Sequence, residues 1–294
     1  MDVQTNGEHD SASVNRQIKD GVFRLLFDNQ ENAAELYYAL SGNKCSPNEI
    51  QIITLTTVVS GKLKNDLAFV VNGKAMIVGE HMSSPYVNMP IRLLMYTGQL
   101  YEKWIKMKGD EKFLYQSKPY KIPTPEFAVF YNGAEQRPEK ELLCLSSAFE
   151  NIEGSRFGRL ELEVPVYNIN KGMNAELFQK SDKLRQYAEF VEKLRRANNI
   201  YDDYAKGVEA VVKDCIDNNI LSDFLKEHGG EVVSILTMEY NTETAKRVYA
   251  EEQVEEIAQK MLAKGIDLLD VIDITGLSME RMRELHDTLR SEAI

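Results

Sequence analysis

The chain has no run of about 18 consecutive apolar residues, so its sequence predicts no membrane-spanning helix and no membrane partner. Cysteine is scarce: Cys45, Cys144 and Cys215 are far apart and odd in number. This pattern argues against a disulfide framework or a zinc site and predicts a reducing, cytoplasmic setting. Residues 1–14 are polar and acidic, which argues against a secretory signal peptide and predicts a frayed tail.

The net charge of −11 opposes binding to nucleic acid, because contacts to phosphates contribute most of that affinity. The charge is unevenly distributed. Residues 60–108 contain seven basic and three acidic residues, a balance of +4, whereas residues 200–294 contain 10 basic and 21 acidic residues, a balance of −11. The net charge therefore does not exclude DNA or RNA as a partner of residues 60–108.

Hydrophobic periodicity predicts a mixed α/β region followed by a helical one. The first region carries two amphipathic helices, an Ile- and Val-rich strand, a hairpin turning at Asn72-Gly73, a long helix opened by Pro90, and two later strands. The predicted bounds are 14–27, 32–40 and 90–107 for the helices, and 50–59, 66–71, 75–81, 126–131 and 160–168 for the strands.

After Asn174 almost every segment has helical spacing, which places a domain boundary near residues 170–174. We therefore predict an α/β domain over 15–170 and an α-helical region over 171–294. The helices of that region are predicted at 183–196, 201–217 and 218–227, with two more in 254–289, on either side of Thr275-Gly276-Leu277-Ser278.

Two acidic residues lie where the predicted hairpin brings its strands together. Asp66 begins one strand, and Glu80 lies 14 positions later near the end of the next. Carboxylates on neighbouring strands repel each other, and a hard divalent cation between them removes that cost while polarising a phosphate oxygen. His81 faces the opposite side of the strand, and Met82 shares the side of Glu80. A thioether is a weak acceptor and no donor, so Met82 can neither orient water nor stabilise developing charge.

Five segments together resemble the recombination-promoting nuclease and transposase family, within the PD-(D/E)XK nuclease superfamily. The resemblance covers roughly residues 15–170, and the matching segments are Lys19–Phe27, Lys64–Asp66, Glu80–Ser83, Asn88–Arg92 and Pro123–Gly133. It implies a restriction-endonuclease-like core with a mixed central sheet flanked by helices. It also implies a Mg²⁺-dependent (or Mn²⁺-dependent) DNA endonuclease linked to recombination or mobile elements. Asp66 and Glu80 would be metal ligands, and Asp20 would be a third acid.

Met82 departs from this family, whose members usually have Gln at the corresponding position. Gln99 on the following helix is the first candidate to replace it, and Lys64 on the strand of Asp66 is the second. Arg92 could contact a phosphate or pair with an acid such as Glu80. The alternative to an active nuclease is a catalytically inactive nuclease fold that acts as a DNA-binding or protein-interaction module.

Residues 254–290 have the pattern of a helix-turn-helix, with two helices around a Gly-containing turn. The second helix offers Arg281, Arg283 and Arg290 but also Glu280, Glu284 and Asp287. This balance is poor for reading a DNA groove. Two interpretations stay open: a DNA-binding motif, or a helical pair that packs structurally or forms a homodimer.

Overall fold

The computed structural model describes residues 20–55, 66–84, 87–150, 160–198, 200–201 and 203–292. The predicted tail at 1–14 and Lys64 lie outside these ranges. The chain divides into two compact units, Met1–Met238 and Glu239–Ile294. The last strand of the sheet ends at Asn168, close to the boundary predicted near 170, and the first unit continues through further helices. Among the described residues, no helix is long and apolar enough to cross a membrane.

A six-stranded mixed sheet forms the centre of the first unit. The strand bounds are β1 (Ile50–Ile52), β2 (Leu67–Val71), β3 (Ala75–Met82), β4 (Thr124–Tyr131), β5 (Lys140–Cys144) and β6 (Glu163–Asn168). Their order in the sheet is β1-β2-β3-β4-β6-β5. Strands β1, β2 and β3 pair antiparallel, β3–β4 and β4–β6 pair parallel, and β5 pairs antiparallel with β6. The predicted mixed α/β class is confirmed.

Helices cover both faces of this sheet. The bounds are α1 (Asp20–Phe27), α2 (Gln30–Ser41), α3 (Met89–Lys108), α4 (Ala175–Lys180), α5 (Asp182–Asn198) and α6 (Tyr204–Asp217). On one face, α3 buries Leu93, Leu100 and Trp104 in a cluster with Val78 of β3. On the other face, Phe23 of α1 contacts side chains of β3, β4 and α5. Strand β3 is therefore covered on both faces, so its polar side chains need partners inside the protein.

Local sequence explains the two elements that carry the candidate site. Asn72 and Gly73 both have positive φ, 52° and 66°, which the tight turn between β2 and β3 requires. Helix α3 has Pro90 in its first turn and ends at Gly109, whose φ is 66° and whose N–H caps the carbonyl groups of Ile105 and Lys106. The bounds of α3 agree with the predicted 90–107 to within one residue at each end.

The C-terminal helices are α7 (Ser222–Ala263), α8 (Leu268–Thr275) and α9 (Met279–Glu292). The prediction of a short helix over 218–227 was wrong. Asn219 and Leu221 have positive φ, 57° and 48°, so the chain turns there and α7 begins at Ser222 and runs for 42 residues. Within the second unit, Ala258, Val271, Met282 and Leu285 form a buried apolar cluster.

Candidate active site

The β2–β3 hairpin brings Asp66 and Glu80 side by side. Leu67 pairs with Gly79, so the residue before β2 lies opposite Glu80. The backbone N–H of Asp66 donates to Glu80 Oε1 at 3.1 Å, and the backbone N–H of His81 donates to Asp66 Oδ2 at 2.8 Å. Each carboxylate is thus held by the backbone of the other's strand. These two hydrogen bonds fix both carboxylates at the end of the hairpin.

Helix α3 places a cation against the buried acid. Glu80 is 2% exposed, and Arg92 Nη2 lies 3.2 Å from its Oε2. The hydroxyl of Tyr96, one turn further along α3, accepts hydrogen bonds from Arg92 Nε at 3.1 Å and Nη2 at 2.7 Å. Arg92 therefore pairs with Glu80, one of its two predicted alternatives, and Tyr96 fixes the plane of the guanidinium.

The electrostatics of this group follow from its burial. Burial alone would lower the pKa of Arg92, but the carboxylate of Glu80 and the hydrogen bond to Tyr96 raise it above its ordinary value. Burial raises the pKa of Tyr96, and Glu80 adds to that rise. Both groups therefore stay protonated at neutral pH.

Met82 lies on the same side of β3 as Glu80 and packs in the apolar layer under α3. It is 6% exposed and belongs to the buried cluster that includes Met76 and Val78. The side chain at this position therefore contributes apolar packing, and no hydrogen-bonding group extends from it toward the carboxylates.

His81 occupies the other face of β3, as its place in the strand predicts. Its ring stacks on Phe23 with centroids 5.4 Å apart and meets Tyr187 edge-on at 5.5 Å. The Tyr187 hydroxyl lies 3.4 Å from His81 Nε2. His81 is 3% exposed, so it is part of the core on the face of β3 opposite Glu80.

Of the remaining predicted site residues, only Gln99 has a described side chain. Gln99 lies two turns after Arg92 on α3, and within the described residues it makes no hydrogen bond to either carboxylate. Asp20 is the first described residue of α1, but its side chain is outside the description, as is all of Lys64. Their roles stay predictions.

Sequence reasoning missed Tyr96 and Lys103. Lys103 Nζ donates to the carbonyl groups of Ile53 and Thr54, at 3.0 and 2.8 Å, and so ties α3 to the chain just after β1. Arg92, Tyr96 and Lys103 follow one another at spacings of four and seven on α3, a pattern that places them on one helical stripe. This spacing was the sequence signal that could have placed Tyr96 and Lys103 on the same side of α3 as Arg92.

The donor set has the chemistry of a hard cation site but is small. Asp66 and Glu80 supply carboxylate oxygens, the ligands that Mg²⁺ prefers, and Mg²⁺ commonly binds one or two carboxylates and keeps several waters. Within the described ranges, no group of three or more His, Cys, Asp or Glu side chains is placed to hold a metal ion. The pair fits Mg²⁺ only if water or substrate completes the coordination.

In the second unit, α8 and α9 form a helix-turn-helix. Gly276 ends α8 with a φ of 70°, and the Ser278 hydroxyl accepts from the N–H of Arg281 at 3.2 Å to cap α9. Arg281 pairs with Glu255 and Glu284, both at 2.6 Å, and these hydrogen bonds raise its pKa. Arg281 is therefore engaged within the unit.

Residues 251–287 match the family model described as "Rpn/YhgA-like nuclease family, C-terminal HTH domain". This match supports a relationship between this segment and the Rpn family. It covers the end of α7, all of α8 and most of α9, the segment whose sequence resembles a helix-turn-helix. An HTH domain of this Rpn type suggests a nuclease linked to recombination and suggests DNA binding. Searches of curated proteins and of solved structures gave no match.

Proposed function

We propose that this chain is a metal-dependent DNA endonuclease of the PD-(D/E)XK type that hydrolyses phosphodiester bonds during recombination or the movement of mobile DNA. The observation that carries the proposal is the convergence of Asp66 and Glu80 at the end of the β2–β3 hairpin. The Rpn-type HTH match over residues 251–287 supports the same activity independently, because it lies in another part of the chain.

In this proposal Asp66 and Glu80 hold Mg²⁺ or Mn²⁺, and Asp20 is the third acid. When bound, the ion would polarise a phosphate oxygen and lower the pKa of a bound water. The chain's own residues have separate tasks. The N–H groups of Asp66 and His81 orient the carboxylates, and Tyr96 holds Arg92 beside Glu80. Arg92 then offers a fixed positive charge to the developing charge on the phosphate.

The third catalytic position is open in this proposal because Met82 cannot fill it. Gln99 is the first candidate to substitute and Lys64 is the second. The burial of Met82 in the apolar layer favours a second function, in which the fold is a disarmed nuclease that binds DNA or a protein partner without cutting.

Plasmid nicking separates these two functions. Supercoiled DNA is incubated with Mg²⁺ or Mn²⁺ and one of four proteins: the full chain without substitution, Glu80→Gln, Met82→Gln or Glu163→Gln. The last is a control that makes the same Glu-to-Gln change on β6. Nicking by the full chain and by the control, lost in Glu80→Gln, supports the active nuclease and a substitute for Met82. Nicking by Met82→Gln alone supports the disarmed fold. No nicking by any variant contradicts the endonuclease proposal.

The same proposal includes a homodimer formed by the C-terminal helices. On α8, Leu269 is 62% exposed and Ile274 is 67% exposed, which is high for apolar side chains on so short a helix. Light scattering after size exclusion tests it: we expect twice the chain mass for the full chain and a monomer for Leu269→Glu with Ile274→Glu. A monomeric full chain at micromolar concentration contradicts the homodimer.

A further inference from the structure

A cavity of about 650 Å³ lies at the carboxyl ends of β4 and β6, where α5 passes them. Its lining includes Arg137, Asn168, Asn170, Lys171 and Arg195. The carboxyl ends of parallel strands meet at one edge of a sheet, and this edge is where open α/β folds bind ligands. The cavity plays no part in holding Asp66 or Glu80.

Arg195 extends from α5 into the wall of this cavity without an acidic partner. Its Nη1 donates to Asn170 Oδ1 at 2.9 Å, and its Nη2 donates to the backbone and side-chain oxygens of Asn132. Among the described residues no carboxylate forms a salt bridge with it, and burial lowers its pKa. The hydrogen bonds of Arg195 go only to neutral groups, and Glu192, whose charge raises the pKa of Arg195, is itself paired with Arg196. The guanidinium therefore keeps positive charge for an anion.

Two buried donors beside this contact have no acceptor. They are Arg195 Nε and Asn132 Nδ2, both without a hydrogen-bond partner within the described structure, and Asn132 is 1% exposed. Buried polar atoms are normally paired, so an unpaired donor needs an explanation. Because both orphaned atoms at this place are donors, the missing partner is an acceptor.

The charges around the cavity favour an anion further. Arg137 pairs with Glu141 at 3.1 Å, and the lining residue Glu192 pairs with Arg196. Lys171 is exposed and forms no salt bridge within the described residues, and Glu135 is the remaining acid of the lining. Arg195 and Lys171 thus leave an excess of positive charge.

We propose that this cavity binds a phosphate group, and that the phosphate belongs to the backbone of the nucleic acid strand presented to Asp66 and Glu80. The backbone N–H of Asn132 donates to the carbonyl oxygen of Met82 at 2.9 Å, so the end of β4 adjoins the end of the strand that carries Glu80. The assignment to a backbone phosphate rests on the proposed nuclease function.

Lys171→Gln tests the site without disturbing the core, because Lys171 is exposed on a turn. Lys118→Gln makes the same change at an exposed lysine outside the cavity. Thermal unfolding of each full chain is compared in potassium phosphate and potassium chloride at equal ionic strength. We expect phosphate to raise the Tm of the unaltered chain and of Lys118→Gln, and to raise that of Lys171→Gln and Arg195→Gln less or not at all.

The second measurement is binding of a fluorescent DNA duplex in EDTA over a series of salt concentrations. We expect Lys171→Gln to weaken binding and to reduce the slope of log K against log salt by about one, whereas Lys118→Gln leaves the slope unchanged. Because no metal is present, this result is independent of cleavage. A chain that binds in this way yet never nicks contradicts the proposed hydrolysis and leaves the cavity assignment standing.

Each other outcome overturns a defined part of the proposal. A phosphate effect on Tm with an unchanged DNA slope overturns the backbone assignment and points to free phosphate. No phosphate effect on the unaltered chain, together with equal DNA binding by Lys171→Gln and Lys118→Gln, overturns the site itself.

Discussion

At the scale of single residues, Glu80 and Arg92 are held in a layer that is otherwise apolar. Removing one partner of a buried ion pair leaves the other charge without compensation. Arg92→Met keeps much of the aliphatic stem and removes the charge. Because the Arg92 side chain is 34% exposed, we expect a loss of about 1–3 kcal/mol in the free energy of unfolding, measured by urea denaturation.

Lys106→Met on the same helix is the control, since Lys106 and its partner Glu102 are both mostly exposed. That variant should lose less than about 0.5 kcal/mol. Adding Glu80→Gln to Arg92→Met should recover part of the loss, because the buried charge is then gone. Equal losses for Arg92→Met and Lys106→Met would show that the pair contributes nothing.

Gly133 is a second residue whose identity the structure requires. A Cβ atom there would lie 2.2 Å from the carbonyl oxygen of Ser83 and 2.3 Å from the Tyr131 hydroxyl. We expect Gly133→Ala to lower the free energy of unfolding by roughly 1–3 kcal/mol, as overpacking does. In contrast, Gly98→Ala on α3 meets no atom within 4 Å and should stabilise by up to about 1 kcal/mol. Chemical denaturation of both variants distinguishes crowding from a general effect of alanine.

At the scale of elements, α6 carries a thiol whose burial predicts a pH dependence. Burial raises the pKa of Cys215 from 9.0 to about 12. In the unfolded chain the thiol ionises near its ordinary pKa, whereas in the folded chain it stays protonated until a higher pH. Between these two pKa values, rising pH therefore stabilises the unfolded state relative to the folded state. We expect a loss of at most about 1.4 kcal/mol per pH unit between pH 9 and 12, and none below pH 8.

The measurement is the free energy of unfolding against pH for the unaltered chain, Cys215→Ala and Val212→Ala. Cys215→Ala should show a shallower alkaline decline. Val212→Ala truncates a buried neighbour on the same helix without removing a titrating group, so its loss should be constant with pH. Parallel declines for the unaltered chain and Cys215→Ala would contradict the assignment.

Most elements could be predicted because their signals are local. The Asn72-Gly73 turn and the start and end signals of α3 all act within a few residues. Strand β5 was missed because its residues are half-exposed or exposed and only pairing with β6 makes it a strand. From the sequence, Pro165 predicts a sheet edge or a bulge, yet β6 is an internal strand. It is tolerated because the pairing of β6 with β4 begins one residue later, at Val166.

At the scale of the whole molecule, the two compact units differ in the size of their buried apolar clusters. In the second unit, among the side chains that the structure describes, the fully buried apolar cluster has four members. We therefore expect the amides of 251–287 to exchange with solvent faster than those of β3 and β4 under native conditions, measured by hydrogen exchange and mass spectrometry.

Val271→Ala should accelerate exchange in 251–287 and leave β3 unchanged, because Val271 packs within the second unit. Val129→Ala in β4 should do the reverse. Acceleration of both regions by either variant would show that the chain opens as one cooperative unit.

The candidate site could be predicted only where its residues are close together in the sequence. Asp66 and Glu80 could be placed together because a tight hairpin joins them. The partner of Glu80 could not be chosen from sequence, since Arg92 could equally have faced a phosphate. The phosphate cavity gave no sequence signal, because Asn132, Asn170 and Arg195 come from three distant segments.

This difference in sequence separation has a consequence for synthesis on the ribosome. The two acids are 14 positions apart, whereas Arg195 follows Glu80 by 195 − 80 = 115 positions. At typical translation rates this interval lasts roughly 6 to 23 seconds. The growing chain therefore completes the acidic pair well before the basic wall of the cavity exists. Until α5 has been synthesised, the growing chain contains both acids but not the cavity that we propose presents a strand to them.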